Sequence, residues 1–238
     1  THSSVGKSSI AIGLMHLLHR KGWSIKPFKV GPDYIDPGHH NRACSNPSYN
    51  LDTVMTSPNY VKSLFNDVMQ KNDFAVVEGV MGLFDGASPK SEKGSTAEIA
   101  KLLNLPVLLV FDARAMARSA AALVNGFLNM DKDLRFIGAV ANNVNSPKHE
   151  SFLKDAIEYY TPLKLLGCIP KTPDLEIPSR HLGLVQGVEQ KGGIYKKWAG
   201  QIEAHLDLRN LIGTSPLKNK STRKIDKNSS VRWKALKN

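Results

Sequence analysis

The chain has 238 residues, 41% of them hydrophobic, and a formal net charge of +11. That is enough apolar material for one α/β domain with a substantial core, and no apolar run is long enough to span a membrane. No signal-peptide pattern is visible, and the two cysteines, Cys44 and Cys168, are far apart and lack metal-ligand spacing; a disulfide scaffold is excluded and a reducing cytoplasm fits. The charge would suggest nucleic-acid binding were it spread evenly, but residues 209–238 hold nine Lys/Arg against one acid. The remaining 23 bases and 20 acids leave residues 1–208 nearly balanced. The expected organisation is therefore one domain over 1–208 and a basic linker or disordered tail over 209–238.

The first nine residues, Thr1-His2-Ser3-Ser4-Val5-Gly6-Lys7-Ser8-Ser9, end in Gly-Lys-Ser, the closing half of a Walker A phosphate loop. In such a loop successive N–H groups around a glycine wrap a phosphate, and the following helix adds its positive end. Ser3, Ser4, Val5, Gly6, Lys7, Ser8 and Ser9 are thus the expected ATP-binding residues. Lys7 supplies a point charge between the outer phosphates, and Ser8 is the expected hydroxyl ligand of Mg²⁺. The standard motif has glycine where Thr1 stands, and the strand that feeds such a loop would precede Thr1. The sequence therefore reads as beginning inside the motif.

Apolar residues Ile10, Leu14, Leu17 and Leu18 recur at helical spacing over 9–21, with Gly22 as a stop. A short strand over 24–30 runs into Gly31-Pro32-Asp33-Tyr34-Ile35-Asp36-Pro37-Gly38, read as a functional loop because it holds two prolines and two glycines. Ser57-Pro58 opens a helix to about Lys71. An apolar strand over 74–79 contains Glu78, and a helix follows from Ser95. Further strands are expected at 106–112, 136–140 and 165–170, the last of these being the final strand of the chain, with helices over 115–130 and from Ser146-Pro147 to about Tyr160 between them. Continuous apolar strands alternating with amphipathic helices indicate an α/β, P-loop NTPase-like, doubly wound fold: a mostly parallel sheet with helices on both faces. Ligands of such folds bind beyond the strands' carboxyl ends, where the polar residues singled out here fall.

Glu78 ends its strand as a Walker B acid does and is the first candidate for Mg²⁺ and catalysis. Asp33 or Asp36 is a second oxygen ligand, although Asp36-Pro37-Gly38 also reads as plain turn chemistry. Asp85 lies in a Gly-bounded loop after Glu78, with turn and functional readings evenly matched. Asp112 is open to the same two readings. His39-His40 lacks a third metal ligand at useful spacing and is read as a pair of polar loop residues; Cys168, in a strand, has no base signal beside it.

Several stretches together resemble the ATP-dependent amidating domain of the cobyrinate a,c-diamide synthase family, over about residues 1–190. They are the phosphate loop, residues 29–38, Asn50-Leu51-Asp52, residues 77–86, Ser95-Thr96-Ala97-Glu98, Asp112-Ala113-Arg114, residues 117–123 and Arg180-His181-Leu182-Gly183-Leu184. The resemblance implies a dethiobiotin-synthetase-like architecture. It also implies ATP- and Mg²⁺-dependent amidation of the a- and c-carboxylates of a corrin-type tetrapyrrole through acyl phosphates, in cobalamin biosynthesis. It implies Lys7, Asp33, Glu78 and Asp85 as catalytic residues, with Ser8, Asp33 and Glu78 at the metal. Tyr34, Ile35 and Asp36 are implied at the substrate, and Asn142 at the adenine.

The implied partners are the carboxylated corrinoid and a glutaminase domain as ammonia source, for which this sequence shows no cysteine nucleophile with its base. A homodimer is allowed for, whereas nucleic acid and membrane are not expected. Two other readings stand beside this one: a nickel-sirohydrochlorin a,c-diamide synthase, and a partitioning-type nucleotide-switch ATPase. The latter lacks support in residues 1–5, which hold no lysine.

Overall fold

The structure, a computed structural model, describes residues 1–172, 175, 179–180, 183–184 and 193–212. In chain order its elements are α1 (Lys7–Arg20), β1 (Ile25–Val30), α2 (Ile35–Cys44), β2 (Tyr49–Leu51), α3 (Pro58–Met69) and β3 (Phe74–Glu78). They continue with α4 (Thr96–Leu102), β4 (Val107–Asp112), α5 (Ser119–Met130), β5 (Phe136–Val144), α6 (Pro147–Tyr160) and β6 (Leu165–Pro170). The last described are β7 (Ser179–Arg180), β8 (Gly183–Leu184), α7 (Gly193–His205) and α8 (Leu208–Ile212).

Two three-stranded sheets, β2-β1-β3 and β4-β5-β6, are parallel throughout, and β7 pairs antiparallel with β8. The expected α/β class with parallel strands is what forms, although the described strands make two parallel sheets where one was expected. Pro27 is tolerated inside β1 because β2 pairs only from Phe28 onward. Its missing N–H falls where β1 has a single neighbour.

Side-chain alternation along the strands distributes them between helix layers. In β4, Val110 joins the core around α1 and α7, whereas Leu109 and Phe111 join the core around α5 and α6. In β1, Ile25 belongs to the first of these cores, while Phe28 packs with Leu51, Val61 and Ile99 in a third. Helices thus cover both faces. Helix α1 approaches α7 closely at Gly13, where a Cβ would meet Ile202 Cγ1 at 2.7 Å and Trp198 O at 3.0 Å.

Between the edges of β3 and β4 runs a mostly apolar slot of about 380 Å³, lined among others by Val76, Val77, Leu108 and Leu109. The phosphate loop starts at its rim, where the Thr1 nitrogen donates to Val110 O at 2.5 Å.

The helix starts expected at Ser57 and Ser146 are capped by those serines, which accept from the N–H groups of Tyr60 and His149, and Ser95 caps α4 in the same way by accepting from Glu98 N–H. The stretch read as a loop through Gly38 is different. Helix α2 begins at Ile35, because Asp33 Oδ1 accepts the N–H groups of Ile35 (2.8 Å) and Asp36 (3.2 Å). Pro37 then falls in the first turn, where its missing N–H costs no helical bond. Residues 165–170 are also not the last strand, since β7 and β8 follow.

Helix α8 runs across the expected boundary at 208, from Leu208 to Ile212, and its Leu211 is buried in the α1–α7 core. Residues 213–238, most of the basic tail, lie outside the described residues, as do His181 and Leu182 of the family-like stretch.

Phe111 has no exposed surface and its cluster is filled mainly by alanines and medium-sized aliphatics. Phe111→Ala is expected to cost about 3–5 kcal/mol, because such a site collapses poorly around a cavity. Urea denaturation of the two proteins measures it.

Candidate active site

The carboxyl ends of β1 and β3 and the start of α1 meet at one place. Gly6 precedes α1 with φ 96° and ψ 18°, a left-handed conformation that favours glycine. A side chain here would also collide with Asn142, whose Nδ2 lies 2.2 Å from where a Cβ would stand. That amide donates to Val5 O at 2.9 Å and pins the loop to the end of β5. Val5 is fully buried beneath the loop, while Ser3 and Ser4 are exposed on it and Ser9 is half-buried. Lys7 Nζ donates to His2 O at 2.7 Å, curling over the loop as a cation beside the phosphate cradle. Burial holds Lys7 below the ordinary lysine range, with Glu78 pulling the other way.

Glu78 is the centre of the site. Its Oε1 accepts from Ser8 Oγ at 2.6 Å and from Lys29 Nζ at 2.9 Å. Its Oε2 is 2.7 Å from His40 Nε2. Burial alone would raise the Glu78 pKa, but the Lys29 charge and the bonds from His40 and Ser8 more than reverse this and hold it well below the carboxylate range. Lys29 also reaches Asp36 Oδ2 at 2.5 Å and lies 3.9 Å from Asp33 Oδ2. Its own pKa would fall through burial, yet Glu78 and Asp36 raise it above the ordinary lysine value.

The sequence-predicted residues divide accordingly. Lys7, Ser8, Glu78 and Asp33 are brought together, with Asp33 serving both as cap of α2 and as an outer member of the Lys29 cluster. Asp85 is exposed, and its Oδ2 accepts Gly82 N–H at 2.8 Å, closing the turn after β3. Tyr34 is 79% exposed and Ile35 half-buried, so Tyr34 is open to a ligand.

Asp36, expected at the substrate, is instead buried against Lys29. Burial and the Glu78 charge push it up to about 7, against the pull of Lys29. Asn142, expected to read adenine, stands at the end of β5 and gives one of its two amide hydrogens to Val5 O, which ties it to the phosphate loop. Asp112 takes the turn reading: it accepts from Arg114 N and Nε and from Asn143 Nδ2.

The two histidines read as loop residues lie on α2 and are fully buried, His39 against the Tyr195 hydroxyl and His40 against Glu78. Burial pushes the Cys44 and Cys168 thiols up to about 11 and about 12, which leaves neither as a nucleophile. Lys29 and His40 were missed as site residues. The available signals were a lysine near the carboxyl end of a short strand, Lys29, and Asp36, His40 and Cys44 at successive i, i+4 positions once that stretch is taken as helix.

Fold and site together define a P-loop nucleotide-binding α/β domain. The chain belongs to the CobQ/CobB/MinD/ParA nucleotide binding domain family, whose model matches residues 1–185. It is 46% identical over 214 residues to cobyrinate a,c-diamide synthase of Picrophilus torridus, covering 90% of this chain and 48% of that protein. It is 42% identical to the enzyme of the same name from Caldanaerobacter subterraneus, covering 89% and 47%. The chain thus spans about half the length of these curated relatives. Among solved structures, it resembles cobyrinic acid a,c-diamide synthase from Mycobacterium smegmatis with a bound ATP analogue and magnesium at 13% identity, over 83% of this chain and 89% of that one, with a TM-score of 0.47.

Lys29→Met is expected to destabilise the fold by about 3–5 kcal/mol, because it leaves Glu78 and Asp36 buried without their shared cation; chemical denaturation reads the loss. Asp36 makes a second, pH-dependent prediction. A carboxyl whose folded pKa is raised binds a proton in the native state that the unfolded chain has released. Its stabilising contribution is complete below the unfolded value of 3.8 and is lost as pH rises towards about 7. Stability measured at points from pH 4 to pH 7 should therefore fall with a steeper slope in the wild type than in Asp36→Asn.

Proposed function

We propose that this chain is the ATP-dependent amidating domain of a cobyrinate a,c-diamide synthase. It would convert side-chain carboxylates of a corrin-type tetrapyrrole to amides with ATP, Mg²⁺ and ammonia. The observation that carries the reading is the Ser8–Glu78 bond at 2.6 Å, which ties the phosphate loop to the strand-end acid. Identities of 46% and 42% to synthases of that name support the substrate class.

The residues fit a nucleotide with a divalent cation. The left-handed Gly6 lets the loop turn into the start of α1 with its N–H groups unobstructed by a side chain, and Ser8 and Glu78 are hard oxygen donors of the kind Mg²⁺ takes alongside phosphates. Mg²⁺ when bound would neutralise phosphate charge, with Ser8, Glu78 and Asp33 as its protein-side holders. A carboxylate is a poor electrophile, so it must be activated before ammonia can attack. Transfer of the terminal phosphoryl group to the substrate carboxylate forms a C–O–P linkage and releases ADP. Ammonia then attacks the carbonyl carbon, phosphate departs, and the nitrogen loses a proton.

The protein's part is positioning and charge stabilisation. Lys7 and the N–H groups opening α1 face the phosphates, and Tyr34 stands exposed at the substrate side. Asp85, in the turn after β3, is a further acid at this edge. Ammonia would come from a glutaminase domain in the complete synthase, and a cytoplasmic location suits all the reactants. Among the described residues no helix is long and apolar enough to cross a membrane.

The test is an assay with a carboxylated corrinoid, ATP, Mg²⁺ and ammonium as nitrogen donor. The expected product gains mass consistent with one or two amidations and fails to form without Mg²⁺. Lys7→Ala should lower turnover by roughly 10²-fold or more, the scale for losing a charge-stabilising group. ATP hydrolysis stimulated by DNA or lipid, with no amidated product, would overturn the proposal.

A further inference from the structure

We infer that His40 is a positioning residue for nucleotide-bound Mg²⁺, acting through Glu78. The inference rests on the metal role of Glu78 in the proposed function. Helix α2 carries His40 into a fully buried place, with its Nε2 2.7 Å from Glu78 Oε2. A carboxylate can only accept, so Nε2 must carry the proton. On the ring's other side Nδ1 is 3.1 Å from Ser48 Oγ, a hydroxyl able to donate to it. Ser48 is itself placed by its N–H, which donates to Asn41 Oδ1 at 2.6 Å. Backbone and side chains of the α2–β2 segment therefore set the ring's orientation from behind.

The division of labour at Glu78 gives His40 its particular effect. Both Ser8 and Lys29 bond the same oxygen, Oε1. His40 is the described partner of Oε2 and fixes the rotation of the carboxylate about its last torsion. With Oε2 held, Oε1 stays aimed at Ser8 and the start of α1. Removing the donor would leave a buried acceptor unpaired, and the carboxylate would turn towards Lys29 or Ser8 to recover a bond. This is the arrangement by which a group behind a metal ligand orients it, and loss of such a group typically costs about 10–100-fold in metal affinity or activity. A purely structural histidine would weaken the fold without singling out the metal.

Two variants of similar length separate these roles. His40→Gln keeps an amide donor near the Nε2 position, whereas His40→Met has none. Binding of ATP is measured with Mg²⁺ and with EDTA, alongside kcat and KM for Mg·ATP. The expected result is that His40→Met loses about tenfold or more in Mg²⁺-dependent ATP affinity, that its metal-free binding is unchanged, and that His40→Gln recovers most of the loss.

Equal behaviour of the two variants, or equal losses with and without Mg²⁺, would overturn the inference. If His40→Met does not fold, His40→Asn replaces it, since its amide stops one carbon short of the carboxylate. Retained Mg²⁺ dependence in His40→Gln and loss in His40→Asn supports the role, and matching values reject it. Binding needs no corrinoid, so a failed amidation assay beside an intact His40 effect would count against the proposed reaction alone.

Discussion

The arrangement depends on one buried carboxylate. Glu78 is withdrawn from water at the end of β3 and stays ionised because donors from three elements converge on it: Ser8 from α1, Lys29 from β1 and His40 from α2. An uncompensated charge in such a place would be costly enough either to unfold the region or to pick up a proton. The same bonds that keep it charged therefore also lock three segments of chain into register. The start of α1 with its phosphate loop, β1 and α2 are positioned by a single anion.

Lys29 extends that constraint sideways. Its ammonium bonds Glu78 and Asp36 and lies near Asp33, so acids that would otherwise repel each other can share one corner of the sheet. Three carboxylates thus face one lysine there. Asp33 does two things at once: it caps α2 through Oδ1 and faces Lys29 through Oδ2. Helix α2 thus begins where the site needs it, and the helix in turn delivers Asp36 and His40, one turn apart, to the same corner.

The phosphate loop is supported from the opposite half of the molecule. Asn142, at the carboxyl end of β5, holds Val5 O, and the absent Cβ of Gly6 makes room for that contact. Beneath the loop, Val5 and the apolar face of α1 pack into the core shared with α7. Rigid packing below and fixed hydrogen bonds at the sides leave the loop's outer N–H groups and Lys7 to face a ligand. Such preorganisation makes charge stabilisation effective, because little has to rearrange when the ligand arrives.

The sequence by itself determined the α/β class, the order of the five apolar strands it named, the serine-capped helices and the phosphate loop, since each follows from local periodicity, capping chemistry or contiguous motif. It also picked out Glu78 and Asp33 at strand ends. Only the tertiary structure decided that Asp36 pairs with Lys29, that Asn142 braces the phosphate loop, and that the two histidines are buried on a helix. The reason is physical. A proline- and glycine-rich stretch looks irregular until a buried lysine and a distant glutamate give its polar residues somewhere to go: Asp36 pairs with Lys29 across 7 residues of chain, and His40 with Glu78 across 38.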